Sequence, residues 1–328
     1  MTKPHVVSQP VLLLSRSEVI KYLDPRALVG SLAEAFQLHA DRNGEPSVRS
    51  SDFAVKNGLL TTSRVGRMDG VPAYSVKVET RVPGRNPSIS GLLHLYDSKT
   101  NSLLAVMESS YITSLGSALT GALATDLLAS PEAHSVAVVG NGTQGWLGLR
   151  FLMEMRAIER VTLFDLNRRK SVRMAQRLKK YEGLKVRGCD SLTEAVCQAD
   201  IIYCATWSQR PFLYSEMVKA GTHITSLGSD GPAKKELSEE LLESCSFFCD
   251  DRELATSVGA LSEVEGKHGL VKAELGEILV RAQQGRANPE EITVYGAVGL
   301  PFIDLVAAWE AYKKAKRRDV GRSFAALE

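Results

Sequence analysis

The chain has 328 residues, 44% of them hydrophobic and 24% charged, with a formal net charge of +2. That composition belongs to a soluble globular protein long enough for two domains of ordinary size. The near-neutral charge implies no nucleic-acid or membrane partner, and no apolar run approaches the ~20 residues of a membrane span.

In chain order, Val11–Leu14 reads as a short strand and Ser15 to Ser17 as a helix cap. Val19, Leu23, Leu28, Leu32 and Phe36 then space out as one helix face. Residues 41–46 read as a turn. From 48 to 106 the pattern changes to short strands at 53–55, 58–62, 73–78, 91–96 and 103–107, with turns at 68–72, 83–87 and 97–101 between them. This meander cannot belong to a nucleotide-binding fold. Residues 111–128 are small and apolar; Thr113, Ser117, Thr120, Gly121 and Ala124 permit close helix packing, and Ser130-Pro131-Glu132 ends the segment.

The chain is organised around 135–146. Val136, Ala137, Val138 and Val139 read as a buried parallel strand. Gly140, Asn141, Gly142, Thr143, Gln144 and Gly145 follow as G-x-G-x-x-G, and 147–158 continues with helical spacing. Strand, glycine turn and helix together make a dinucleotide site. Gly140 permits the tight turn, Gly142 lets backbone approach a pyrophosphate, and Gly145 lets the helix pack close to the strand. A second strand, 161–164, ends in Asp165, 25 residues after Gly140 and near the ~20 expected for a ribose-binding acid. A carboxylate there favours NAD. Arg168 and Arg169 can instead hold a 2′-phosphate, so NADP stays open. Thr206 and Gly228, just past the strands at 201–205 and 223–227, complete the expected cofactor contacts.

With 246–249 as a further strand, the alternation predicts a doubly wound parallel sheet of Rossmann type. Residues 294–301 read as a loop and 302–316 as a final helix, whose basic end at 313–322 complements its dipole. The expected organisation is an α+β domain (1–130 with 300–328) for substrate and dimerisation, and a dinucleotide domain (131–299). All five cysteines fall in the second half without zinc-like clustering, and Cys245 and Cys249, at helical i,i+4 spacing, lack nearby histidines. No metal site is expected. No signal-peptide core opens the chain, so free thiols in a reducing cytoplasm are expected.

Three residues in this framework can carry substrate chemistry. Lys77 alternates with Val76 and Val78. If both sheet faces are covered it is partly buried, with a depressed pKa suited to proton transfer. The pattern alone favours the other reading, a lysine on the wet face of an edge strand. Arg49 can clamp a carboxylate, or be an exposed loop arginine. Asp230 lies just beyond the carboxyl end of a predicted strand, where open parallel sheets bind ligands. It can orient water or act as an acid or base, or it can be a turn aspartate before Gly231-Pro232. His94, His223 and His268 are scattered and read as structural or surface groups.

These residues resemble the ornithine cyclodeaminase and mu-crystallin family over nearly the whole chain. The resemblance runs through Val48-Arg49, Ser75-Val-Lys77-Val, Gly91-Leu-Leu-His-Leu-Tyr-Asp97, Ile112-Thr113 with 117–124, Gly140-Asn-Gly-Thr-Gln144, Gly228-Ser-Asp-Gly-Pro-Ala-Lys-Lys-Glu-Leu237, Glu274-Leu-Gly-Glu277, and Gly299 with Asp304. It implies a homodimer whose first-domain sheet pairs across a two-fold, with the active site in the cleft between domains. It also implies NAD(P)-dependent hydride transfer at the α-carbon, on the C–N bond of an amino acid, amine or imine. The same family includes cyclodeaminases that recycle bound NAD, and mu-crystallin as an NADP-dependent binding protein. By position Lys77 would contact the substrate carboxylate and assist proton transfer, Arg49 would bind that carboxylate, and Asp230 would activate water or the amine. The family usually has arginine where this chain has Gly116. Without that charge-assisted hydrogen bond, substrate binding weakens by about 1.5–3 kcal/mol. Either another arginine such as Arg64 or Arg81 substitutes, or the substrate is not an ordinary α-amino acid; glycine also opens room for a bulkier one.

Overall fold

The computed structural model describes residues 10–41, 49–55, 59–82, 88–231 and 234–324, with backbone alone for those before 61 in the second and third segments. Most of the first expected turn, the turn at 83–87 and Gly58 lie outside the described residues. In chain order the elements are β1 (Val11–Leu14), α1 (Arg16–Tyr22), α2 (Pro25–Ala40), β2 (Arg49–Val55), β3 (Leu59–Arg67), β4 (Ala73–Arg81), β5 (Ile89–Asp97), β6 (Leu103–Glu108), α3 (Ser110–Leu128), β7 (Ser135–Val139), α4 (Thr143–Met155), β8 (Arg160–Phe164), α5 (Arg168–Leu178), β9 (Lys185–Gly188), α6 (Leu192–Val196), β10 (Ile201–Cys204), β11 (His223–Ser226), α7 (Glu239–Ser244), β12 (Ser246–Cys249), α8 (Arg252–Ser257), β13 (Val271–Glu274), α9 (Leu275–Leu279), β14 (Thr293–Gly296), α10 (Pro301–Arg317) and β15 (Arg322–Phe324). Two compact units result. One ends at Gly116 and resumes at Leu300; the other is Ser117–Gly299.

The first unit is built on a seven-stranded sheet, ordered β15-β1-β6-β5-β4-β3-β2. β2 to β6 form an antiparallel meander, and β1 adds to β6 in parallel. Asp97 closes the β5–β6 hairpin, its carboxylate accepting from the Lys99 and Thr100 amides at 2.9 and 2.8 Å. The single helix face read from Val19 to Phe36 is two helices. Pro25 has no N–H to give and stands at the first turn of α2, and Asp24 caps that turn by accepting from the Arg26 amide at 3.1 Å. α10 packs on α2, β3 and β4.

The wet edge-strand reading of Lys77 is overturned. β4 is hydrogen-bonded on both sides, and Lys77 is 3% exposed. The faces of β4 run opposite to a simple amphipathic strand: Ser75, Lys77 and Glu79 are buried, whereas Val78 is 40% exposed.

The second unit holds an eight-stranded, wholly parallel sheet, ordered β13-β12-β14-β11-β10-β7-β8-β9. Strand order reverses between β7 and β10, so the ends of those strands form the switch point where such sheets take ligands. The stretch read as a loop from 294 contains β14, completely buried between β11 and β12. Its glycines and proline resembled loop punctuation, but Gly296 continues the strand and Pro301 starts α10. Cys249 lies in β12 with Cys245 just before it, so their spacing is not helical; all five cysteines are free.

Candidate active site

In the second unit, β7 delivers the chain into the glycine turn. Gly140 has φ +91°, and a Cβ there would collide with the Ala205 carbonyl oxygen and press on Thr206. A Cβ on Gly145 would collide with the Gly140 carbonyl oxygen, which is why α4 can pack so close to the turn. Gly142 is different: among the described residues nothing lies within 4 Å of a Cβ built there. It is the N-cap of α4 and has no side chain to fill the first turn. The buried Asn141 amide donates to the Val138 carbonyl at 2.9 Å, and its Oδ1 has no hydrogen-bond partner among the described residues. An open cradle, an uncapped helix start and an orphaned acceptor fit a dinucleotide pyrophosphate.

Asp165 stands directly after β8. Its carboxylate accepts from the amides of Asn141 and Asn167, both at 2.8 Å, with the Lys170 ammonium 3.9 Å away. Arg168 is exposed and pairs with Asp190 at 3.0 Å. Thr206 and Gly228 are tied together by a residue whose role the sequence hid. The buried Glu236 carboxylate accepts from the Thr206 amide and hydroxyl (2.8 and 2.7 Å), the Ser226 hydroxyl (2.7 Å) and the Gly228 amide (2.9 Å). Burial raises this carboxyl above its usual range against those four bonds. Glu236 thereby pins the loop beyond β11 that carries Asp230, where Lys234 meets Asp230 at 2.6 Å and lies over the Trp207 ring. Asp250 after β12 was also missed. It accepts from the Val298 amide at 3.0 Å and the Gly299 amide at 2.6 Å, and burial pushes it up to about 6. His223 is a core residue between Thr293 and Thr225, and burial pushes it down to about 3.

In the first unit, Lys77 is the centre of a buried polar cluster. Its ammonium meets Asp304 Oδ2 at 2.6 Å and Glu79 Oε2 at 3.4 Å, and donates to the Thr113 hydroxyl at 2.8 Å. Thr113 in turn donates to Glu79 Oε1 at 2.7 Å, and Ser109 does so at 2.9 Å. Burial works to raise Glu79, but Lys77, Thr113 and Ser109 outweigh it and hold the carboxyl low. Asp304, on α10, is raised: burial lifts it, Lys77 opposes that, and Glu79 adds to it. Arg64 is directly across the strand pair from Lys77 and shares its face. Arg49 is placed in β2 opposite Val65, but its side chain lies outside the described residues. The open volume expected above Gly116 is partly filled: a Cβ there would be 2.6 Å from Ile303 Cγ2.

Glu79 and Asp304 had sequence signals that could have been used. Ser75, Lys77 and Glu79 recur at the strand period on one face, and Asp304 is a lone acid in the apolar run Pro301-Phe-Ile-Asp-Leu-Val-Ala-Ala308.

A doubly wound sheet with a glycine turn at its switch point, joined to a unit with a buried lysine and two carboxylates, defines a nicotinamide-dinucleotide-dependent enzyme. More narrowly, the chain belongs to the ornithine cyclodeaminase/mu-crystallin family, whose sequence pattern it matches over residues 11–319. It is 30% identical over 323 residues to a Δ1-pyrroline-2-carboxylate reductase of Bacillus cereus, covering 95% of this chain and 98% of that one. The solved Δ1-pyrroline-2-carboxylate reductase of Thermococcus litoralis, in complex with NADH and L-proline, matches with TM-score 0.89 and 28% identity over 96% of this chain and 100% of that one. An archaeal alanine dehydrogenase dimer with bound NAD matches with TM-score 0.90 and 26% identity over 97% and 100%.

Proposed function

We propose that the chain reduces the C=N bond of a small α-imino acid to the α-amino acid, with a five-membered cyclic imine as the first candidate. The Lys77 cluster carries this reading. An ammonium in a dry, hydrogen-bonded site is a proton donor for a nitrogen that gains electrons. A reduced nicotinamide supplies the hydride when bound. Lys77 supplies the proton and, with Arg64 on the same sheet face, attracts the substrate carboxylate; the register that pairs Arg49 with Val65 puts Arg49 on the other face and outside this group. Gly140, Gly142, Thr143, Gln144 and Gly145 cradle the pyrophosphate, with Thr206 and Gly228 beside them. Asp165 accepts from the adenosine ribose, which favours NAD over NADP, with Arg168 at its rim. The first unit serves substrate and dimerisation, and the second binds the cofactor. The dimeric alanine dehydrogenase relative supports a homodimer.

The test is to mix the protein with Δ1-pyrroline-2-carboxylate and either NADH or NADPH, and follow the loss of reduced-nicotinamide absorbance. Expected are turnover, a preference for NADH, and loss of most turnover in Lys77→Ala with cofactor affinity nearly unchanged. Unimpaired turnover in Lys77→Ala would sink the assigned role. One observation favours a second reading, a cyclodeaminase: Asp230 lies beyond β11 with its carboxylate held by Lys234, poised to act on an amine or water. In that case L-ornithine with catalytic NAD releases ammonia without net cofactor change, and Asp230→Asn abolishes the release.

A further inference from the structure

We propose that Asp304 is a positioning residue that keeps a replacement proton within 2.6 Å of the Lys77 ammonium. The inference rests on the reading of Lys77 as proton donor. Three ionisable groups share one dry volume: Lys77 and Glu79 from β4, and Asp304 from the first turn of α10, exposed by 3%, 1% and 6%. Were all three charged, these three buried groups would hold one cation and two carboxylates, a net −1 out of water, with the half-buried Arg64 and Arg81 the further cations acting on Asp304 and Glu79. Two carboxylates around one site cannot both ionise cheaply, so one keeps its proton.

The hydrogen bonds say which one. Glu79 accepts from two hydroxyls, Thr113 and Ser109, besides facing Lys77, so its charge is well solvated by the protein. Asp304 has Lys77 as its close partner and Glu79 as a like charge nearby, with Arg64 the other cation acting on it. Glu79 is accordingly held low and Asp304 raised, by burial first. The resting cluster is then ammonium, carboxylate and carboxylic acid, with net charge zero.

Neutrality is useful when the imine is reduced. As hydride reaches the imine carbon, an N–H bond of Lys77 breaks and the substrate nitrogen takes that proton. The lone pair left on Lys77 Nζ takes the proton of Asp304, whose O–H bond breaks and leaves a carboxylate. Lys77 ends as it began, the substrate nitrogen ends as a neutral amine, and the cluster carries −1. Solvent later returns one proton to Asp304. Oxidation of the amino acid runs the same transfers backwards.

The experiment uses the full chain with NADH and Δ1-pyrroline-2-carboxylate. In the wild type, kcat for reduction falls as pH rises through the titration of Asp304. In Asp304→Asn, kcat drops about tenfold or more and that alkaline limb disappears, while KM for NADH holds; Asp304→Glu restores the limb. Independently of turnover, the wild type near neutral pH shows an infrared carboxylic-acid C=O band that Asp304→Asn lacks. An unchanged pH profile in Asp304→Asn, or no such band in the wild type, overturns the proposal. Lys77→Ala separates the two readings: full turnover there refutes the role of Lys77, whereas lost turnover with an unmoved Asp304→Asn profile refutes Asp304 alone.

Discussion

At the scale of single residues, Gly116 shows how a sequence argument meets packing. Relative to the family arginine it is a deletion, and a deletion suggests space. The structure turns Ile303 Cγ2 toward that space, 2.6 Å from where a Cβ would be. Gly116→Ala should therefore destabilise the wild type by about 1–3 kcal/mol through overpacking. In an Ile303→Ala background the obstructing methyl is gone, and alanine is the better helix former by about 1 kcal/mol. There the same substitution should stabilise. Chemical denaturation of the four proteins checks the reversal, and equal effects in both backgrounds would show that Ile303 does not set the limit.

Residues differ in how far sequence exposes them. Gly140 and Gly145 were legible because each answers a local steric demand that glycine satisfies. Lys77 was found but misplaced, because alternation says which residues share a face and not which face is covered. The roles of Glu236 and Asp304, both within stretches that carry the resemblance, stayed hidden for another reason. Their partners come from separate elements: Thr206, Ser226 and Gly228 for Glu236, and Lys77, far away in the chain, for Asp304.

At the scale of elements, the β7–turn–α4 unit separates two uses of glycine. Gly145 is needed by the fold, since its Cβ would strike backbone within the turn itself, whereas the space over Gly142 is open among the described residues. Gly145→Ala should lower the unfolding temperature and weaken NADH binding together. Gly142→Ala should leave the unfolding temperature nearly unchanged and weaken NADH about tenfold or more, ~1.4 kcal/mol, because its methyl enters the space the pyrophosphate needs. Fluorescence titration beside a thermal melt tests both. Unchanged NADH affinity in Gly142→Ala would mean that the phosphates do not approach this backbone. β14 marks the limit of element reading. Val294 and Tyr295 suit a strand, but four residues ending in glycine carry too little pattern to outweigh the punctuation after them, and pairing with β11 and β12 decides the matter.

At the scale of the whole molecule, the inverted strand β4 carries a consequence for assembly. Antiparallel register places Val78 opposite Leu92, and Val76 opposite both Val65 and His94, all on the face away from Lys77. Val78 and Leu92 are 40% and 49% exposed, and Tyr74 and Tyr96 stack on the same face with centroids 5.0 Å apart. A monomer gains nothing by turning valine and leucine outward while burying lysine and glutamate. A dimer does, because a specific interface needs about 800 Å² from each partner and favours an apolar centre. With the dimeric relative, this makes the outer sheet face the expected subunit interface. The double substitution Val78→Lys and Leu92→Lys should convert a dimer to a monomer in light scattering, since burying two unpaired charges per subunit costs several kcal/mol. The Lys77 cluster lies on the opposite face, so the monomer should retain its secondary structure by circular dichroism and its NADH affinity. A variant that stays dimeric would move the interface elsewhere, and a monomeric wild type would refute the assembly.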